Sequence, residues 1–395
     1  MHSLKDSLKA VYYIETKKNL NEVAEYLVEL ETTGRWGDKN SKPTELFLEC
    51  RGEVAEVREL EKGKGYVSLF YPMKNFNMEE SAFSSIWLYM IGGATHAIIG
   101  YEKSRLIDFE LPDYAYKYFP GPGWGVERTK QFLNVPKNEP VIGTIVKPTA
   151  GLTADEVADM CYQLGIGGVR FIKDDEKIMN TKYCPLEERV RKVAKALKKA
   201  EDKVGRRILY APHITTGPEN IIEFADRAIR SGANALMMNM FASSFSSLKM
   251  IRDRGYDVPI YAHCGGKEAF GRAEGQGVSP EVVVKFTRLM GGDYFRSSVL
   301  GGYCVGGNIL EMRSLTNVMR MEIPGIKKIM PALSCGLNTN NLLNNLKEVG
   351  ADVLVLAGTG ITQHPGGIIA GVEAMKDVAN EYFKNINKVS IQLKT

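Results

Sequence analysis

Hydrophobic positions follow two rhythms along the chain. Up to about residue 135, short strand-like runs are mixed with charged helical stretches. VAEYLVELE has helical spacing, whereas TELFLEC and GYVSLFYP have the spacing of strands. This pattern predicts a small α+β unit, closed by FPGPGWGVE, where two prolines among glycines form a rigid connection. From Val141 a regular alternation begins. Eight β-rich runs (VIGTIVK, GVRFIK, RILYAPHIT, NALMMNMF, VPIYAHC, DYFRSSVL, KKIMPALS, ADVLVLAGTG) are separated by amphipathic stretches such as ADEVADMCYQLG and LEERVRKVAKALKKAED. Strands that alternate with helices in this way pair in parallel. Eight such units in roughly 250 residues have the size of a closed (β/α)8 barrel. An open doubly wound sheet is the alternative, disfavoured because no G-x-G-x-x-G follows the first run. The expected division is 1–135 for the α+β domain and 136–395 for the barrel.

Composition narrows the function classes. With 395 residues and 44% hydrophobic positions, the chain is long enough for two cored domains. A net charge of +4, with no basic stripe interleaved with aromatics, gives no case for nucleic acid or a membrane surface. The most apolar window, Ile86 to Gly100, is too short to span a bilayer. Six scattered cysteines lack zinc spacing and suit a reducing compartment. The N-terminus lacks a signal-peptide core, so a cytoplasmic protein is expected.

In such a barrel, chemistry gathers at the C-terminal ends of the strands. The first run ends in Lys147-Pro148. The second ends in Lys173-Asp174-Asp175-Glu176, the third near His213, the fourth near Asn239 and the fifth at His263. Arg296 and Ser297 lie on the sixth, Ser334-Cys335-Gly336 follows the seventh, and Gly358-Thr359-Gly360 follows the eighth. The KDDE cluster has two readings. It is a solvated turn with paired charges, or an Mg²⁺ site in which Asp175 and Glu176 reach one ion while Asp174 points elsewhere. The second reading needs a neutral Lys173 that has added CO₂, because an ammonium beside a cation is repelled. Lys147 is a surface lysine or, if a nearby cation drives it toward neutrality, a proton carrier. The two glycine-rich tips are tight turns or a phosphate cradle, and their place after strands seven and eight favours phosphate.

GTIVKPTAGLT, GGVRFIKDDE, FPGPGWG, MPALSCGL and GTGITQHPGG occur in the order found in the ribulose-bisphosphate carboxylase/oxygenase (RuBisCO) large-chain superfamily. The chain resembles that superfamily over essentially its whole length. The resemblance implies a TIM barrel behind a ferredoxin-like α+β domain. It implies Mg²⁺ held by Asp175, Glu176 and a CO₂-derived carbamate on Lys173. It makes Lys147 the lysine that handles protons on the enolised substrate, and His263 the strand-five active-site histidine. Ser334, Gly336, Gly358, Thr359 and Gly360 become substrate- and phosphate-binding loops. A homodimer or higher homo-oligomer is implied, each site completed by the partner subunit through ELETTGRW, with Glu31 as its acid.

The sequence also departs from the family pattern. Thr149 stands where a second lysine is expected, Cys264 where a phosphate-binding arginine is, and Arg296 where a histidine is. Gly93 falls where an asparagine aids CO₂ fixation, and the loop VLGGYCVGGN carries no lysine to stabilise a new carboxylate. The resemblance therefore points to a form IV, RuBisCO-like enzyme rather than a carboxylase, with Arg296 rebuilding an anion site. Its implied reaction is Mg²⁺-dependent enolate or enediolate formation on a phosphorylated sugar or sugar acid. Decarboxylation or transcarboxylation of a 3-oxo sugar-acid phosphate, such as 3-oxo-isoapionate 4-phosphate, is favoured. Methionine-salvage enolisation or isomerisation of a methylthio-pentyl or methylthio-pentose phosphate is the alternative, and Lys147 argues against the enolase. A non-catalytic barrel that binds a phosphorylated ligand is the reading from another class.

Overall fold

The computed structural model describes residues 3–38, 40–97, 102–304 and 307–392. Two compact units emerge. The first joins the chain up to Phe119 with residues 266–286 and 323–326; the second comprises 120–265, 287–322 and the chain from Lys327 onward.

The first unit carries a five-stranded sheet. Strands Lys103–Glu110, Ser7–Glu15, Lys64–Pro72 and Glu53–Glu61 lie side by side and antiparallel. With its helices this is the ferredoxin-like order expected. A short fifth strand, Gly277–Val278, adds in parallel to Lys103–Glu110. In Ser7–Glu15 the residues Leu8, Ala10, Tyr12 and Ile14 are fully buried, the two-residue period of a strand with one covered face. The helix Leu20–Thr32 buries Leu20, Val23, Ala24, Leu27 and Val28, and Asn19 caps its start by accepting from the N–H groups of Asn21 and Glu22. TELFLEC corrects the expectation of a strand: Glu45–Cys50 is helical. The Thr44 hydroxyl caps it by accepting from Phe47 N, Glu45 sits in the positive first turn, and none of its residues is buried. With no packing to enforce a strand, the local cap decides.

The second unit is the expected barrel. Its strands are β1 (Val141–Ile145), β2 (Phe171–Lys173), β3 (Leu209–Ala211), β4 (Leu236–Asn239), β5 (Ile260–His263), β6 (Tyr294–Ser297), β7 (Met330–Leu333) and β8 (Leu354–Leu356). They pair in parallel in the order β3-β2-β1-β8-β7-β6-β5-β4. A bridge between His213 and Met237, beside Ile214 N donating to Met237 O, joins β3 to β4 and closes the ring. Phe171, Tyr261 and Tyr294 fill the interior among Leu209, Met237, Met330 and Leu354. Each large side chain so buried stabilises by about 1.5–3 kcal/mol. Helix Ala154–Gly167 has a full capping box, Thr153 with Glu156, and ends at Gly168 with φ of 100°.

The division falls at Phe119/Pro120, ahead of the expected boundary at residue 135. The reason is Asp293, fully buried beneath the barrel core. Its carboxylate accepts from Trp124 N at 2.6 Å, Gly125 N at 2.9 Å, Ile260 N at 2.7 Å and Arg252 Nη2 at 2.5 Å. Trp124 and Leu133 pack in the barrel core, so the segment after Pro120 belongs to that unit. A Cβ at Gly123 would lie 2.1 Å from Arg252 Nη1, which explains the glycine.

Candidate active site

Lys173 ends β2, in register between Ile145 of β1 and Ala211 of β3. The three acids that follow separate immediately. Asp174 is fully buried, and its Oδ2 accepts from Arg189 Nε and His213 N, both at 3.0 Å, while its Oδ1 accepts from Tyr210 OH at 2.8 Å. It is a fixed brace. Asp175 pairs with Lys147, and Glu176 faces His263. Lys173 Nζ donates to Asp174 O at 2.9 Å and lies 5.3 Å from the Tyr261 ring centroid. Burial, at 2% exposure, holds its pKa below the ordinary lysine value despite the acids nearby.

Lys147 Nζ donates to Asp175 Oδ2 at 2.5 Å and to the Thr149 hydroxyl at 3.3 Å. Burial opposes its charge, but the hydrogen bond and charge of Asp175 outweigh it and raise the pKa. His263 Nε2 lies 3.6 Å from Glu176 Oε2. Its Nδ1 accepts from Gly265 N at 3.1 Å, which places the proton of the neutral ring on Nε2, facing Glu176. Burial, and then Lys173, keeps its pKa well below the ordinary value. His213, paired with the Thr215 hydroxyl, is pushed down to about 3 by burial and then by Lys173 and Arg189.

Among the described residues, no three His, Cys, Asp or Glu side chains converge as a metal site. Asp175 and Glu176 offer two hard oxygen donors, and Lys173, its amine buried and disfavoured as a cation, would offer a third if carbamylated. This donor set fits Mg²⁺.

The other side of the mouth is built from loops. Arg296 Nη1 lies 3.2 Å from both Cys304 Sγ and Cys335 Sγ. Burial, followed by Cys335, pushes the Cys304 thiol up to about 11. Cys335 holds φ of 78°, a region costly for any side chain. A cavity of about 550 Å³ is walled by Gly301–Tyr303, Gly336–Asn338, Thr359–Gly360 and Gln363–Pro365. Gly336, Thr359 and Gly360 are thus brought together. A Cβ on Gly336 would lie 2.9 Å from Tyr303, so the space exists because the residue is glycine. Ser334 and Gly358 lie outside that wall: Ser334 is buried beside Cys335, and Gly358 abuts the Lys147 side chain. Residues 305 and 306 of the lysine-free loop lie outside the described residues. Glu31, in the first unit, accepts from Thr95 N at 2.5 Å and from the Thr95 hydroxyl at 2.6 Å.

A family model described as the ribulose bisphosphate carboxylase large chain, catalytic domain, matches residues 125–391. The chain belongs to that RuBisCO family. It is 26% identical to a ribulose bisphosphate carboxylase of Methanocaldococcus jannaschii, over 91% of this chain and 88% of that protein. It is 28% identical to a 3-oxo-isoapionate-4-phosphate decarboxylase of Rhizobium rhizogenes, over 94% and 91%. A 2,3-diketo-5-methylthiopentyl-1-phosphate enolase of Geobacillus thermodenitrificans is likewise 28% identical, over 93% and 90%. The octameric RuBisCO of Pyrococcus horikoshii superposes with a TM-score of 0.91 at 25% identity, covering 98% of this chain and 90% of that one. Identity is nearly equal across carboxylase, decarboxylase and enolase, so it does not separate them. Among the described residues, no helix is long and apolar enough to cross a membrane.

Sequence reading missed the Asp174–Arg189–Tyr210 brace and the Arg296–thiol cluster. Arg189 left a signal: it sits between Leu186 and Val190 on the apolar stripe of its helix, where a cation must find a buried partner. Cys304 and Cys335 are far apart in sequence and left none.

Proposed function

We propose that this RuBisCO-family chain is a RuBisCO-like enzyme that forms an enolate or enediolate from a phosphorylated sugar or sugar acid. We favour decarboxylation or transcarboxylation of a 3-oxo sugar-acid phosphate over CO₂ fixation. The observation that carries this reading is the asymmetry of the mouth: lysines, acids and a histidine converge beside β1, β2 and β5, while the loop after β6 supplies no lysine for an incoming carboxylate. Bound Mg²⁺, held by Asp175, Glu176 and carbamylated Lys173, would supply the positive charge that polarises a substrate carbonyl. Lys147 Nζ holds or delivers the proton at the enolised carbon. His263 Nε2–H stands ready to donate to a substrate oxygen, being neutral. The cavity bounded by Gly336, Thr359 and Gly360 takes the phosphate, with Ser334 and Gly358 shaping its approach, and Arg296 meets a second anionic end of the substrate. A homodimer or larger assembly, in which Glu31 completes the partner's site, belongs to the same proposal.

The test is proton NMR in D₂O with the Mg²⁺- and bicarbonate-treated protein. It is offered 3-oxo-isoapionate 4-phosphate, the methylthio-diketone phosphate, 5-methylthioribulose 1-phosphate and ribulose bisphosphate in parallel. Turnover of the first is expected. Turnover of a methylthio substrate would move the assignment to methionine salvage. Carboxylation of ribulose bisphosphate would overturn the argument from the loop. Absence of turnover of all four would favour the ligand-binding reading.

A further inference from the structure

The opposite end of the barrel carries a second, larger cavity, of about 880 Å³. It lies where the strands begin. Ile142 stands near the start of β1, Arg170 directly precedes β2, and Arg206 and Arg207 precede β3. Lys376, from the long helix that begins at Gly367, forms another wall.

Among the described residues the lining is strongly cationic: Arg170, Arg206, Arg207 and Lys376 face one carboxylate, Glu139. Arg170 is the decisive residue. It is 7% exposed, and among the described residues its Nε and Nη1 have no hydrogen-bond partner. A buried guanidinium with unfilled donors is costly, because water is lost and nothing replaces it. Burial and then the neighbouring Arg206 bring its pKa down to about 10, although Glu201 opposes this. Glu201 is itself engaged, accepting from Ile208 N at 2.7 Å. Two of the other cations flank the left-handed Gly168: a Cβ there would lie 2.9 Å from Lys376 Nζ, which donates to Gly167 O at 3.3 Å, and 3.7 Å from Arg206 Nη1. Arg207 is held over the Phe132 ring at 4.9 Å.

We infer that this cavity is a binding site for a phosphorylated small molecule, separate from the strand-end site, with Arg170, Arg206 and Lys376 receiving its phosphate oxygens. The guanidinium fork suits phosphate geometry. The volume lies within the range of roughly 300–1,000 Å³ typical of small-molecule sites and exceeds what one inorganic phosphate fills. The phosphate can come from a sugar phosphate or from a nucleotide.

The experiment uses the full chain in EDTA at fixed ionic strength. Isothermal titration calorimetry and thermal unfolding are run with pyrophosphate, ribose 5-phosphate and ADP. Pyrophosphate is expected to bind and to raise the Tm. Arg206→Gln and Lys376→Gln, both at positions with solvent access, should each weaken binding at least fivefold. Thr359→Val, in the strand-end cavity, should leave that affinity unchanged. Arg170→Met should raise the Tm without ligand and abolish the pyrophosphate-dependent rise, whereas a purely structural arginine would lower the Tm on removal. Tighter binding of ADP or of ribose 5-phosphate than of pyrophosphate would support the site and identify the source of its phosphate. Binding that is absent at millimolar pyrophosphate, or unaltered by Arg206→Gln and Lys376→Gln, would overturn the proposal.

Discussion

On the β1, β2 and β5 side of the mouth, polar groups hold one another: Lys147 pairs with Asp175, the neutral His263 faces Glu176, and Asp174 is braced by Arg189 beneath. On the β6 to β8 side, Arg296 meets two soft thiols, and Gly301, Gly302, Gly336 and Gly360 contribute to the cavity wall. The first arrangement fixes charge at strand ends, where the barrel leaves little freedom. The second leaves room between loops, so ligands of different shape can be fitted by changing loops alone. Under the proposed function, the reacting centre and the choice of substrate fall to separate halves of one rim.

This division can be broken experimentally. Lys173→Ala is expected to abolish turnover while leaving the unfolding transition cooperative; an unfolded variant would assign the lysine to structure instead. Asp174→Ala should lower stability by about 3–5 kcal/mol in urea melts, because Arg189 is left buried and unpaired. An unchanged midpoint would show that the brace is dispensable. Lys147→Met should reduce kcat by roughly 10²–10⁴ with little change in stability, the range for loss of an acid–base group.

Acid stability tests the charge-fixed side. His213 titrates near 3 when folded, below its unfolded value, so the unfolded chain takes up the proton first. Its stabilising contribution is full above about pH 6.5 and is lost as the pH falls toward 3, at no more than about 1.4 kcal/mol per pH unit. His213→Asn should flatten that slope in urea melts between pH 7 and 4. The smallest effect belongs to the loop side. Cys304→Ala should shift KM by less than tenfold, about 1.4 kcal/mol, and keep kcat within about twofold. A collapse of kcat would place the thiol in the chemistry and erase the contrast.

The barrel was readable because each of its strands is buried on both faces and bounded by an amphipathic helix, a pattern that survives in one dimension. The strand-end lysines, acids and histidine were readable for the same reason, since the fold dictates where they must gather. TELFLEC was misread because its alternation resembles a strand while Thr44 caps a helix. The Arg296–Cys304–Cys335 cluster escaped because its members come from three separate loops or strand ends, and no period links them. Arg170 escaped too: in sequence it is one more charged residue at the start of a strand, and only burial with Nε and Nη1 unfilled among the described residues sets it apart.

The excursion at residues 266–286 has a consequence for biosynthesis. Strand Gly277–Val278 supplies the edge that pairs with Lys103–Glu110, and Lys285 reaches Asp108 and donates to Phe109 O at 2.6 Å. A ribosome that has released the first 119 residues has therefore delivered an incomplete domain, its sheet ending in an unpaired edge. That edge stays open until five strands of the barrel have been synthesised. For this chain the N-terminal unit is begun first and finished late, and a fragment cut at the end of its contiguous stretch would carry an adhesive edge that the intact protein covers with its own later sequence.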